Sequence, residues 1–177
     1  GLCGSGILDL IAQMRKAGLL NNRGAITGQG FESRIQGSGH GKEFVLVPGA
    51  ENNGMEITFD RSDVTEIQLA KGAMRAGVEI LLKKAGITAQ ALDKVVIAGA
   101  FGTYLDVQSG VEIGMFPRLD RDHFLQVGNA AGAGARMALL SRQVRQQAIE
   151  VARRVSYVEL SSEASFSGTF ARSLLLE

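Results

Sequence analysis

The chain has no tryptophan, one cysteine and two prolines among its 177 residues, and only 6% of it is aromatic. A single thiol excludes an internal disulfide framework and fits a reducing compartment, so a cytoplasmic location is expected. It also excludes an iron–sulfur cluster held by this chain alone, because such a cluster takes several cysteine thiolates. No apolar run reaches membrane-spanning length and no signal-peptide pattern is visible, so no membrane partner is expected. Charge of one sign is lacking too: 19 Lys and Arg face 18 Asp and Glu, for a formal net charge of +1. The basic footprint of a nucleic-acid binder is therefore missing. His40 and His123 stand alone, with no HExxH or CxxC pattern, which argues against a zinc site.

What is present is small and aliphatic. Hydrophobic residues make up 45% of the chain, enough for a core built from Ala, Val, Ile and Leu, as in alternating α/β proteins. The 23 glycines lack matching prolines, so they read as turns and close packing rather than low complexity. The chain begins with Gly1 and is expected to be a piece of something longer.

Apolar residues Ile7, Leu8, Ile11, Met14 and Leu19 recur at helical spacing, predicting a helix over 3–20 with Ser5 as its cap. Residues 21–60 change character. Their glycines punctuate GKEFVLVPG and GMEITFD, predicting a small strand-rich insertion with a mobile loop near 36–42. The strongest helix is predicted over 62–85, capped by Ser62 or Asp63 and ended by Gly86. Ile67, Ala70, Met74, Gly77 and Leu81 form its expected buried face, and Gln68, Lys71, Arg75 and Glu79 a second line. KVVIAGAFG then predicts a strand buried on both faces, closed by a tight turn at Gly99, Ala100 and Gly102. A helix near 106–114, a strand at 124–128, helices from Asn129 and over 142–154, a strand at 155–160 and a helix over 162–176 complete the pattern. From residue 93 on, strand and helix alternate.

Common catalytic signatures fail. GSGHGKE imitates a Walker A loop, but its glycines are too close and Glu43 stands where Ser or Thr holds magnesium. The dinucleotide fingerprint fails at Asp9, and no GxSxG occurs. Three glycine turns remain: Gly4-Ser5-Gly6, Gly99-Ala100-Phe101-Gly102 and Gly128-Asn129-Ala130. Glycine turns beside helix starts suit phosphates, sugars and flat rings, and they equally suit close helix–sheet packing.

GLCGSG-ILDLI, EIQLAKGAMRAGVEILL, KVVIAGAFGTYLD and QVGNAAGAGARMALL together resemble the ATP-dependent reductive activators of corrinoid proteins. The match lies with their C-terminal domain, a member of the acetate kinase, sugar kinase, chaperone ATPase and actin superfamily. The first segment also looks like the CAAGTG-type turn in activators of 2-hydroxyacyl-CoA dehydratases. The resemblance implies an α/β, ribonuclease-H-like (actin-like ATPase) half-domain with a small β-rich insertion at about 21–60. It implies ATP or ADP with Mg2+, with Gly99, Ala100, Phe101 and Gly102 against the adenosine. Gln68, Lys71 and Arg75 would contact ribose and adenine, a solvated helix face being the competing reading. Gly4, Ser5 and Gly6 would lie near ribose or phosphates, and Asn129 would border the adenine or serve as an ordinary N-cap. Cys3 is expected to be packed and structural rather than redox-active. The superfamily's DxGxT phosphate loop and the family's [2Fe–2S] domain are absent from this sequence. The chain therefore looks like the second half of the ATPase domain, with no catalytic residue assigned and little activity of its own. The implied partners are a corrinoid protein, the missing N-terminal half and a possible second copy. The competing functions are a sugar- or acid-kinase-type phosphotransferase, with Asp9, Asp60 or Asp106 as base, and a non-catalytic docking or dimerisation domain.

Overall fold

The computed structural model describes residues 2–177, with the side chains of residues 40, 100 and 101 outside the description. Helix α1 spans Gly4–Lys16 and buries Leu8, Ile11 and Met14 on one face. Its cap is Cys3, not Ser5: the Cys3 sulfur accepts the Gly6 amide at 3.4 Å. Cys3 is exposed rather than packed, so its structural role is that of a helix cap at the surface.

The insertion forms a three-stranded antiparallel sheet of β1 (Ile35–Gln36), β2 (Glu43–Val47) and β3 (Ile57–Asp60), in that order. Phe44 lies opposite Phe59 in the register, and both are buried. Helix α2 spans Arg61–Ala85 and starts one turn-forming residue earlier than expected. Asp60 is the cap, accepting the Ser62 and Asp63 amides at 2.7 and 3.0 Å, while Asp63 returns a carboxylate to the Asp60 amide at 3.0 Å. This reciprocal pair satisfies donors that a helix N-terminus otherwise leaves open. Gly86, in the left-handed region at φ +67°, ends the helix as expected.

The buried stripe of α2 matches the predicted one only in part. Gly77 is buried and Ile67 half-buried against the core as expected, but Ala70, Met74 and Leu81 are exposed, while Val64, Gln68, Lys71, Gly72, Ala76 and Ile80 also face inward. The cause is α7 (Phe166–Ser173), which crosses α2 at Gly72. A Cβ at Gly72 would meet Leu174 Cδ2 at 3.0 Å and the Ser173 oxygen at 3.2 Å, so glycine lets the backbone approach.

Strands β4 (Val95–Ala98) and β5 (Phe124–Gly128) pair in parallel as a separate two-stranded sheet. Between them lie the short helices α3 (Ala100–Tyr104) and α4 (Val107–Glu112), where a turn and one helix were expected. Ile97 and Phe124 pack on the main core, formed with α1, β3 and α2. The opposite face is open: Val96 is 58% exposed, and Leu125 and Val127 are exposed beside it. The strand is thus buried on one face, not both. After β5, α5 (Ala130–Leu140) and α6 (Arg142–Arg154) pack on each other, leaving Met137, Leu139 and Leu140 exposed. Residues 155–159 are not a strand, and α7 is shorter than the predicted final helix. Among the described residues no helix is long and apolar enough to cross a membrane.

Candidate functional site

Parallel strands deliver their carboxyl ends to one side of a sheet, where the following turns make a crevice. Here β4 runs into Gly99, at φ +107°, and β5 into Gly128, at φ +63°. Such angles favour glycine, because a side chain would clash with the backbone. The two turns are joined, since the Gly99 amide donates to the Gly128 carbonyl at 2.7 Å. Asn129 follows immediately and caps α5, its side-chain oxygen accepting the Gly132 amide at 2.9 Å. A Cβ placed at Gly99 would meet nothing within 4 Å among the described residues.

Gln126 carries no sequence signal, yet it holds this turn in place. Its side-chain amide donates to the carbonyls of Gly102 and of Leu105, the latter at 2.9 Å. Five residues make an α-helix too short to be stable alone, so α3 depends on such ties. Gly102 itself lies against Ile97, where a Cβ would meet Cγ2 at 2.6 Å. Its lack of a side chain therefore serves helix–strand packing. Ala100 and Phe101 belong to α3, but their side chains lie outside the described residues.

Gly4, Ser5 and Gly6 form the first turn of α1. The Ser5 hydroxyl and the Cys3 sulfur lie 3.4 Å apart. This hydrogen bond, followed by the Gly6 amide, holds the Cys3 thiol below its ordinary pKa.

Gln68, Lys71 and Arg75 share a face of α2, as their spacing requires, but that face is covered. Gln68 bridges two elements: its oxygen accepts from Arg61 at 2.7 Å and its amide donates to the Leu174 carbonyl at 2.7 Å. Lys71 is 1% exposed and its ammonium donates to the Leu175 carbonyl. Burial pushes its pKa down to about 8; nearby Glu177 opposes that shift and Arg75 adds to it. Arg75 donates to the Phe116 carbonyl at 2.9 Å and pairs with Glu79 at 2.7 Å. The solvated-face reading fails for Gln68 and Lys71. Among the described residues no hydrogen bond joins these three to the turns at Gly99 and Gly128.

Two of the three carboxylates considered as a kinase base serve helix caps. Asp60 caps α2, and Asp106 caps α4 by accepting the Gln108 amide at 2.7 Å. Asp9, on α1, has a buried Oδ1 without a hydrogen-bond partner.

Glycine turns at the carboxyl ends of a parallel strand pair, each leading into a helix, make an α/β arrangement with a crevice at the strand ends. A family model described as the C-terminal domain of RACo, the ASKHA domain, matches residues 1–177. The chain belongs to this family, and its fold is of the ASKHA, actin-like type. It is 34% identical over 178 residues to the corrinoid activation enzyme RamQ of Eubacterium limosum, covering 96% of this chain and 30% of RamQ. It is 28% identical over 156 residues to the [Co(II) methylated amine-specific corrinoid protein] reductase of Methanosarcina barkeri, covering 88% of this chain and 25% of that protein. A solved structure of a reductive activator for corrinoid, iron–sulfur protein superposes with a TM-score of 0.88 at 37% identity, over 99% of this chain and 28% of the other. The chain thus spans less than a third of each relative's length.

Proposed function

We propose that this chain is the nucleotide-binding part of a reductive activator, in which ATP hydrolysis drives a Co(II) corrinoid protein to Co(I). The observation that carries the reading is the joined pair of turns at Gly99 and Gly128, with nothing among the described residues within 4 Å of a Cβ placed at Gly99. Among the described residues no side chain lies over Gly99 where an adenosine would rest on that backbone, and Asn129 stands at its border. Gly4, Ser5 and Gly6 supply a further helix start for ribose or phosphate. Mg2+ would enter with the nucleotide phosphates, which supply much of its oxygen shell.

The single electron for cobalt would come from a [2Fe–2S] domain outside this chain, because Cys3 provides one thiolate only. ATP binding and hydrolysis would alter the angle between the two halves of the ATPase domain and so the contact with the corrinoid protein. The unpaired edge of β4, the exposed Val96, Leu125 and Val127, and an apolar groove support docking of that other half. The groove has a volume of about 540 Å³ and runs between α2 and β4, past Met74, Leu81 and Phe116.

The test is calorimetric titration of the chain with Mg-ADP and Mg-ATP, paired with cobalt reduction by the longer protein containing it. Saturable binding and ATP-dependent formation of Co(I) are expected. Binding with phosphate transfer to a sugar or acid, and no effect on cobalt, would establish the kinase-type alternative. No binding to the chain or to the longer protein would leave a docking or dimerisation domain.

A further inference from the structure

We propose that α6 is the docking face for an acidic patch on the partner protein, with the arginine row Arg142, Arg145 and Arg153 gripping the carboxylates of that patch. The proposal rests on the function proposed above and names where the corrinoid protein touches this chain. Arg142, Arg145, Ile149 and Arg153 recur at i, i+3, i+7 and i+11, so they share one face of the helix. No residue of α5 or α6 is buried. Five of the chain's 19 basic residues lie in these two helices, all of them arginine, against one of its 18 acidic residues, Glu150. Among the described residues none of the five forms an ion pair. Arg145 donates to the Ala138 carbonyl at 3.1 Å, which sets the row beside the end of α5, where Leu139 and Leu140 are exposed. Ile149, also exposed, sits within the row.

The row works against its own helix. Arg142 is the first residue of α6, at the end where the helix macrodipole disfavours a cation, and the first turn holds no acidic residue to offset it. Arg142 and Arg145 also repel each other one turn apart. Local stability therefore selects against this arrangement, whereas a partner bearing carboxylates selects for it. Guanidinium forks take carboxylates through paired hydrogen bonds, and interfaces favour arginine over lysine. A second copy of the chain would set the row against itself at like charge. A helix lying on a membrane uses large apolar anchors, and α6 offers only Val, Ala and Ile. Single-stranded nucleic acid takes aromatic side chains to stack on, and neither helix has one. The other half of the ATPase domain is assigned above to the edge of β4 and the groove along α2, which is lined by no residue of α6.

The experiment follows ATP-dependent Co(I) formation by the longer protein containing this chain, against corrinoid-protein concentration. It compares wild type, Arg142→Glu and the double variant Arg142→Glu/Arg153→Glu. The half-saturating concentration should rise by roughly tenfold in the double variant and by less in the single one, with Mg-ADP affinity unchanged. Arg142→Glu places an anion where the macrodipole favours it, so this variant keeps the helix. An unchanged half-saturating concentration, or a change in maximal rate alone, overturns the docking face and leaves the proposed function standing. Absence of Co(I) formation by the wild type overturns that function, and the docking face with it. An altered oligomeric mass in the variants assigns the row to a second copy and overturns the proposal. So does wild-type binding to phosphatidylserine vesicles that the variants lose. A longer protein destabilised by Arg142→Glu overturns it as well, because its own chain then covers the row.

Discussion

The Gly99 amide donates to the Gly128 carbonyl at 2.7 Å, which ties the end of β4 to the end of β5. Gln126 completes the tie by donating across to the carbonyls of Gly102 and Leu105. The candidate nucleotide turn is therefore a braced piece of backbone, and its bracing residue lies on the neighbouring strand.

Gln126→Met removes that brace and leaves both carbonyls without their donor. The expected cost is about 1–3 kcal/mol of stability, with weaker nucleotide binding because the turn is no longer fixed. Urea denaturation and calorimetry read the two effects. Unchanged stability and affinity would show that the brace is incidental.

Gly72→Val tests the crossing of α7 over α2. The added side chain pushes against Leu174 and against the Ser173 backbone. Overpacking of this kind costs about 1–3 kcal/mol, which thermal unfolding measures. A variant as stable as the parent would mean that α7 shifts freely on α2.

Lys71 gives a pH signature of defined sign. The unfolded chain holds the ammonium proton up to the ordinary value of 10.5, whereas the folded chain releases it near about 8. Below the lower value the cost of the buried charge is fully present. Between the two values the unfolded state binds more protons, so this group raises stability as pH rises. Comparing urea midpoints of wild type and Lys71→Met across this window isolates the contribution. The rise should disappear in the variant, and parallel curves would contradict the burial of the charge.

Asp60→Ala removes the α2 cap at an expected cost of about 1 kcal/mol at neutral pH. The amide of Asp63 and the hydroxyl of Ser62 hold the Asp60 carboxyl below its ordinary value of 3.8. Its contribution is present above that value and fades as pH falls through the lowered one. Guanidinium unfolding of both proteins at neutral and acid pH follows the loss.

Much of the fold was legible because its signals are local. Gly86 behind two lysines marks the end of α2, and Asn129 before small residues marks the start of α5. Alternation in GMEITFD marks β3, and Pro48 closes β2. What stayed hidden depends on distant chain. The inward turn of Gln68 and Lys71 follows from carbonyls more than a hundred positions away, at Leu174 and Leu175. Polar residues on a helix read as a solvent face unless that partner is known. The open face of β4 is the converse case. VVIA has the composition of a doubly buried strand, but the chain supplies cover for one face. At the candidate site the glycines were legible, because positive φ and close approach select them. Gln126 was not, since one glutamine in a strand carries no pattern. VSYVEL has strand-like composition, yet Tyr157 bonds locally to Glu159 at 2.6 Å, and among the described residues no strand pairs with it.

The most direct test of the central claim is amide-resolved NMR of the labelled chain titrated with Mg-ADP. The account predicts saturable shifts concentrated at Gly99–Gly102 and at Gly128–Asn129, with a weaker set at Gly4–Gly6. Absence of shifts up to millimolar nucleotide would contradict it. So would shifts centred on the polar groove of Arg118, Arg121 and His123, at the opposite ends of the strands.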